Sequence, residues 1–478
     1  MSDLKQKTKI GIIWNILEKI AVQGIGFVLN IILARLLTPN DYGIVGMLTI
    51  FLTFSNVFID SGFSRALIQK QDRTENDYST VLIFNIVISI IIYIILFFAS
   101  PAIAQFYKTP ELLQLQRVFF LVIILNSLTV VQNAQLQINV DFKHIAIINS
   151  FSVIISGIIA IIAAYNGLGP FALVIQTLSK ALISAIMFWI IGKWVPKTGF
   201  SKKSFKNLFG FGSKLLVSGL LSTTITNVYN LVIGKVYNPA SLGYYTRAQQ
   251  FPEITSGTIA SVLNTTTFPL MSSLQNNKDE LANTLKKLIK MTSMIVFPAM
   301  IGLACLAEPI ILMLLGEQWL PAANLLFWIA LSYVFTPLSI LNMNVLNAIG
   351  RSDLFLKIDL IKIPFILLTM IITFPISLKA IVIGKAVTAF LWLYINGYLI
   401  GKIYAFGAFK QLLCSWKYII SALIMGGIVT FVDFIVESSI LSVFFGVFSG
   451  IFSYVLLLFL FKDSLVYDIM KKLKTRLK

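Results

Sequence analysis

The sequence of 478 residues is 57% hydrophobic and 12% charged, with a mean hydropathy of +0.87. Soluble domains carry about 25% charged residues, so a water-soluble fold is excluded and an all-α polytopic membrane protein is expected. The net charge of +18 sits in short clusters between apolar runs, as in the cytoplasmic loops of membrane proteins, and nucleic acid is excluded as a partner.

The N-terminus, MSDLKQKTKI, is basic and leads into a long apolar run without a small-residue cleavage site. It is expected to remain as the first membrane helix rather than to be removed as a signal peptide. A spanning helix needs about 20 mostly apolar residues, and on that scale about fourteen runs qualify. The first six are 11–36, 42–63, 79–100, 115–137, 145–165 and 169–192. The next six are 207–235, 243–271, 288–315, 322–348, 355–376 and 379–401, and a last pair covers 417–436 and 439–461. Cys305 and Cys414 lie in or beside apolar runs as small fillers, without metal spacing. The single His144 follows Lys143 and is expected in a solvated loop.

One stretch is used twice. Leu29 to Gly43 reads LNIILARLLTPNDYG, and Tyr229 to Gly243 reads YNLVIGKVYNPASLG. Without gaps Asn30 aligns with Asn230, Arg35 with Lys235, Pro39 with Pro239 and Gly43 with Gly243. In both copies an apolar run breaks at a polar-Pro turn and restarts after it. Pro39, Gly43, Pro239 and Gly243 are the expected turn or hinge positions of two related halves, a common plan in secondary transporters.

Lys and Arg set the orientation. With the N-terminus inside, the inner segments hold Lys5, Lys7, Lys9, Arg65, Lys70, Arg73, Lys193, Lys197, Lys202, Lys203, Lys206, Lys278, Lys286, Lys287, Lys290 and the C-terminal lysines. The outer loops hold little beyond Arg35, Lys108, Arg117, Lys235 and Lys379. The positive-inside rule therefore places both termini in the cytoplasm. Six runs separate the two copies, an even number, so the halves are parallel. The expected organisation is an N-lobe at 1–192, a cytoplasmic connector at 193–206, a C-lobe at 207–401, and a helix pair with a basic tail at 402–478.

Lys19, Lys180, Lys214, Arg247, Lys362 and Lys385 fall inside predicted spans. Each would cost about 2.5–3.5 kcal/mol at mid-membrane. Asn15, Lys19, Gln23, Gly26 and Asn30 share one helical face, as do Lys214, Ser218, Ser222 and Thr226. Arg247, Gln250, Gly257, Ser261 and Asn264 form a third stripe. These stripes suit the walls of a hydrated cationic cavity, with Lys19, Lys214, Arg247, Asn15, Gln23, Asn30 and Gln250 as substrate-binding candidates. Two plainer readings stay open: Lys214 and Arg247 lie near helix ends and can snorkel, and Lys19 can pair with Glu18 or Asp60. Glu18, Asp60, Glu253 and Asp359 are candidates for coupling a proton or Na+, or for pairing with the basic residues, as Asp359 can with Lys362 three positions on. A cationic cavity implies an anionic cargo such as a phosphate or pyrophosphate ester. No catalytic constellation, metal-ligand set or Walker-type phosphate loop is present, so an enzyme or ATPase is not expected.

The blocks LTPNDYG, VFIDSGFSRALIQKQD (Val57 to Asp72), LGYYTRAQQFPE and TTTFPLMSSLQ (Thr265 to Gln275) resemble those of bacterial polysaccharide-biosynthesis flippases. These are the Wzx-like and teichuronic or colanic acid exporters of the MOP superfamily. The resemblance implies a MOP/MATE-like fold of two six-helix lobes alternating access around a central cavity. It further implies export of an undecaprenyl-diphosphate-linked oligosaccharide across the bacterial inner membrane, with lumen Lys or Arg holding the diphosphate. Implied partners are that lipid-linked substrate, membrane lipids, and assembly proteins such as a polymerase or chain-length regulator. No cofactor is implied beyond a coupling H+ or Na+. The rival readings are a multidrug antiporter of the same superfamily, which would favour an acidic cavity for cationic cargo, and a membrane polysaccharide polymerase.

Overall fold

The computed structural model describes residues 2–60 and 62–467. Its described residues form helices and connecting turns, without strands. By packing, the chain falls into two compact units, 1–243 and 244–478.

The first unit holds α1 (Ser2–Leu36), α2 (Pro39–Asp60), α3 (Phe63–Gln69), α4 (Glu75–Tyr107), α5 (Leu112–Phe119), α6 (Leu121–Ser127), α7 (Val130–Ile138), α8 (Phe142–Tyr165), α9 (Pro170–Gly192) and α10 (Lys202–Val236). α1 lies along α8, with Leu29 against Gly157, where a Cβ would come within 2.3 Å of a Leu29 methyl. α10 packs on α2, α3 and α4. Phe63, Leu67, Val81, Leu82, Val131 and Leu208 close a core where α3, α4, α7 and α10 meet. Gly62 makes the turn into α3 with φ +70°, and a Cβ there would lie 2.8 Å from the Gly212 carbonyl oxygen. Both the left-handed backbone and the close approach require glycine.

The second unit holds α11 (Pro239–Ser273, mostly in this unit), α12 (Lys278–Cys305), α13 (Ala307–Leu314), α14 (Leu320–Tyr333), α15 (Thr336–Ala348), α16 (Ser352–Thr373), α17 (Leu378–Tyr404), α18 (Ala408–Cys414), α19 (Trp416–Ile435) and α20 (Ser439–Leu460). One core joins α12, α15 and α17 through Leu285, Ile289, Leu341, Val345, Leu393 and Ile400. A second ties α12 to the C-terminal pair through Phe297, Met300, Tyr418, Met425 and Tyr454. The outer faces of the C-terminal pair stay apolar: Phe434 is 87% exposed and Phe448 67%. Such a surface suits lipid rather than water.

Each predicted run lies on helix, but several are broken. Residues 115–137 form α5, α6 and α7; 288–315 form α12 and α13; 322–348 form α14 and α15. Among the described residues eleven helices are long and apolar enough to cross a membrane, so the count of fourteen does not follow. α1 and α11 are outside that set, and they carry two of the three polar stripes. This is a multi-pass membrane protein. His144 is not in a loop: it occupies the first turn of α8, with Nδ1 2.6 Å from Asp141 Oδ2. Asp141 caps that helix by accepting from the His144 backbone N–H, and histidine so placed extends the cap.

Candidate functional site

The duplicated turn builds the same helix start twice. In the first copy Thr38 and Asp41 bond each other across the start of α2: the Thr38 N–H and hydroxyl donate to Asp41 Oδ2, both at 2.8 Å. In the second, Asn238 Oδ1 accepts from the Ser241 N–H at 2.8 Å. Each cap is followed by proline at the first helical position, where the missing N–H costs nothing. The two turns also meet. A Cβ on Gly43 would lie 1.6 Å from the Pro239 carbonyl oxygen, and one on Gly243 would lie 2.0 Å from that of Pro39. The contact is reciprocal, as expected for two copies related by a twofold axis. Beside it, Lys235 Nζ donates to the Phe106 carbonyl and sits 4.1 Å from the Phe106 ring centroid.

On the polar stripe of α1, Lys19 and Gln23 are both exposed at the protein surface. Asn30 is half-buried and its amide donates to the Gly26 carbonyl one turn back, at 2.8 Å. Glu18 accepts from the Asn149 amide at 2.5 Å, which ties α1 to α8. On α10, Ser218, Ser222 and Thr226 are all exposed along one face. The side chains of Asn15, Lys214 and Asn264 lie outside the described residues.

Asp60 is half-buried at the end of α2, in a pocket of about 380 Å³ with Asn56, Arg65, Asn126, Asn133 and Gln137. The Asn126 amide donates to Asn56 Oδ1 at 3.1 Å, and the Gln137 amide to Asn133 Oδ1 at 3.2 Å. Sequence reasoning singled out Asp60 alone. Asn126, Asn133 and Gln137 follow a polar stripe at steps of seven and four that could have been read from the chain.

In the second unit Arg247 is half-buried with its Nε enclosed by protein, and Gln250 is half-buried one turn on. Lys385, left without striped company by the sequence, has it here. Its ammonium donates to the Tyr245 hydroxyl at 2.9 Å and to Gln249 Oε1 at 3.2 Å. It also lies 5.3 Å and 5.6 Å from the ring centroids of Tyr245 and Tyr333. The Gln249 amide extends the chain to the exposed Glu253 at 3.4 Å. The expected Asp359–Lys362 pair forms at 2.9 Å, in a pocket of about 470 Å³ with Ser339, Asn344, Asn347, Trp392 and Asn396. Lys180 is exposed on α9. Among the described residues no group of three or more His, Cys, Asp or Glu is placed to hold a metal ion.

Residues 32–324 match the family described as polysaccharide biosynthesis protein. The teichuronic acid biosynthesis protein TuaB of Bacillus subtilis (strain 168) is 26% identical over 356 residues, 74% of each chain. The succinoglycan biosynthesis transport protein ExoT of Rhizobium meliloti (strain 1021) is 25% identical over 97% of this chain and 95% of its own. The lipopolysaccharide biosynthesis protein WzxC of Escherichia coli (strain K12) is 21% identical over 75% of this chain and 73% of its own. Among solved structures, the lipid II flippase MurJ in an inward closed conformation superposes with a TM-score of 0.77 at 17% identity, covering 96% of this chain and 99% of that one. An inward-facing multidrug resistance MATE transporter of the MOP superfamily gives 0.61 at 15% identity, covering 81% and 98%. The fold is shared with these two solved structures, and by its match over residues 32–324 the chain belongs to the polysaccharide biosynthesis protein family.

Proposed function

We propose that this protein is a flippase that moves an undecaprenyl-diphosphate-linked oligosaccharide, an O-antigen, capsule or exopolysaccharide repeat unit, from the inner to the outer leaflet of the bacterial inner membrane. Its termini face the cytoplasm, and its two halves alternate access around a hydrated cationic cavity. The carrying observation is the exposure of Lys19 and Gln23 on a helix built into a membrane protein of this family. An ammonium facing acyl chains would cost several kcal/mol, so this face belongs to water and to an anion that enters with it. By the sequence stripes, Lys214 and Arg247 would add cations on the first helices of the second half, and Asn15, Asn30 and Gln250 would add polar wall. The diphosphate is the group that these cations would hold, while the sugar rides in the wet volume beside it.

Coupling to H+ or Na+ belongs to the same reading. Among Glu18, Asp60, Glu253 and Asp359, Asp359 is held by Lys362 and Glu18 by Asn149. Asp60, in its amide-lined pocket, and Glu253, at the end of the Lys385 chain, are the better carriers. A cationic site opposes the multidrug reading, because cationic drugs would be repelled.

The test is export in a deletion strain together with uptake in proteoliposomes. Lys19→Ala, Lys214→Ala and Arg247→Ala should each lower translocation of a fluorescent diphosphate-linked oligosaccharide by about ten- to hundredfold, the loss of one charge-assisted contact of about 1.5–3 kcal/mol, with membrane levels unchanged. Full complementation by the triple variant would remove these residues from the site.

A further inference from the structure

Within the second unit, a group of lysines that belongs to none of these stripes lines a pocket of its own. Lys286 and Lys290 of α12, Lys410 of α18, Lys417 of α19 and Lys462 after α20 line one pocket of about 590 Å³. Among the described residues none of the five forms an ion pair. The pocket's one carboxylate, Asp463, is buried and already engaged: Oδ2 accepts from the Tyr418 hydroxyl at 3.0 Å, and Oδ1 from the backbone N–H of Leu465 at 3.0 Å and of Val466 at 3.4 Å. Part of the cluster serves α20. Lys417 Nζ donates to the Phe461 carbonyl at 2.7 Å, and a cation suits a helix C-terminus. That accounts for Lys417 and Lys462 but not for the three lysines that α12 and α18 bring to the same space. Lys462 moreover holds φ +49°, a left-handed conformation that costs a non-glycine residue about 1–2 kcal/mol. Like charges gathered in this way repel unless an anion joins them.

The pocket's surroundings select the anion. α18 exposes Phe409 and Leu413 one turn apart, 65% and 54% accessible, and Trp416 begins the next helix at 42%. Apolar and aromatic side chains beside lysines at the end of a spanning helix mark the headgroup level of a bilayer. Basic pockets between helices on the cytoplasmic side suit lipid phosphates, and the Lys/Arg distribution assigns this end to the cytoplasm. We propose that this pocket binds the phosphate of an anionic phospholipid headgroup at the inner face of the membrane.

Cys414 lines the pocket and reports on it. Burial raises its thiol pKa, and the nearby charges of Lys290 and Lys286 pull the other way. The experiment uses the full chain carrying Cys305→Ser, in nanodiscs of phosphatidylcholine with or without phosphatidylglycerol, and follows alkylation of Cys414. Phosphatidylglycerol should slow it about threefold, the occupancy reached at twice the dissociation constant. Lys410→Gln with Lys462→Gln should abolish that protection. Both side chains are exposed, and an unchanged unfolding temperature in phosphatidylcholine verifies the fold. Equal rates in the two lipids, or protection that survives the double variant, overturns the proposal. Inorganic pyrophosphate added to the phosphatidylcholine discs is the remaining arm. Protection by it alone would transfer the pocket to a soluble phosphate and sink the lipid assignment.

Discussion

Gly43 shows how much one missing carbon can decide. Its partner is a backbone carbonyl, which cannot rotate away as a side chain would, so a Cβ 1.6 Å from Pro239 O forces the two turns apart. Gly43→Ala should lower stability by about 1–3 kcal/mol, the range for overpacking, despite alanine's better helix propensity. Gly427 in α19 is the control: it is exposed with nothing within 4 Å of its Cβ position. Gly427→Ala should be neutral or stabilising by up to about 1 kcal/mol. Thermal unfolding in detergent separates the two, and equal behaviour would remove the turn contact as a packing constraint. Charges in apolar runs were legible in the sequence because each is costly in lipid, which is why Lys19 and Arg247 stood out. Uncharged amides carry a weaker signal: the spacing of Asn126, Asn133 and Gln137 shows a polar stripe, but not that the fold brings it and Asn56 to Asp60.

Helices were readable from hydropathy, and their breaks only in part. Pro337 in the first turn of α15 marks the division of residues 320–348. No Pro or Gly marks the breaks at Phe120 and Leu128 between α5, α6 and α7. There the side chains of Gln116 and Arg117 turn to Ser100 of α4, at 2.5 Å to its carbonyl and 3.2 Å to its hydroxyl, contacts fixed by tertiary placement. Pairing between helices is equally hidden, since Lys385 and Tyr245 are 140 positions apart. Their bond joins α11 to α17. Lys385→Met should leave the Tyr245 hydroxyl, on a side chain 1% exposed, without this donor, at a cost of about 1–3 kcal/mol. Lys385→Met combined with Tyr245→Phe should recover much of that loss, because removing both partners can be nearly neutral. Additive losses in the unfolding temperature would show that the two residues act separately.

At the scale of the whole chain, the repeat is what links sequence to membrane topology. Gly43 against Pro239 and Gly243 against Pro39 require both turns to lie at the same level, on the same side. Inverted halves would put them on opposite faces of the bilayer, so the reciprocal contact supports the parallel arrangement expected from the repeat. Which side that is rests on charge: the turns carry Arg35 and Lys235 alone, whereas the connector at 193–206 carries Lys193, Lys197, Lys202, Lys203 and Lys206. In a background without Cys305 and Cys414, Asn40→Cys and its repeat counterpart Ala240→Cys should therefore react with a membrane-impermeant maleimide on intact cells, Ala240→Cys more slowly because that position is half-buried. Lys203→Cys, exposed on the connector side, should react only after lysis. Labelling of Lys203→Cys in intact cells, with the turn positions protected, would reverse the orientation proposed for the protein. Opposite labelling of Asn40→Cys and Ala240→Cys would contradict the parallel halves themselves, because no orientation of this fold separates two turns that touch.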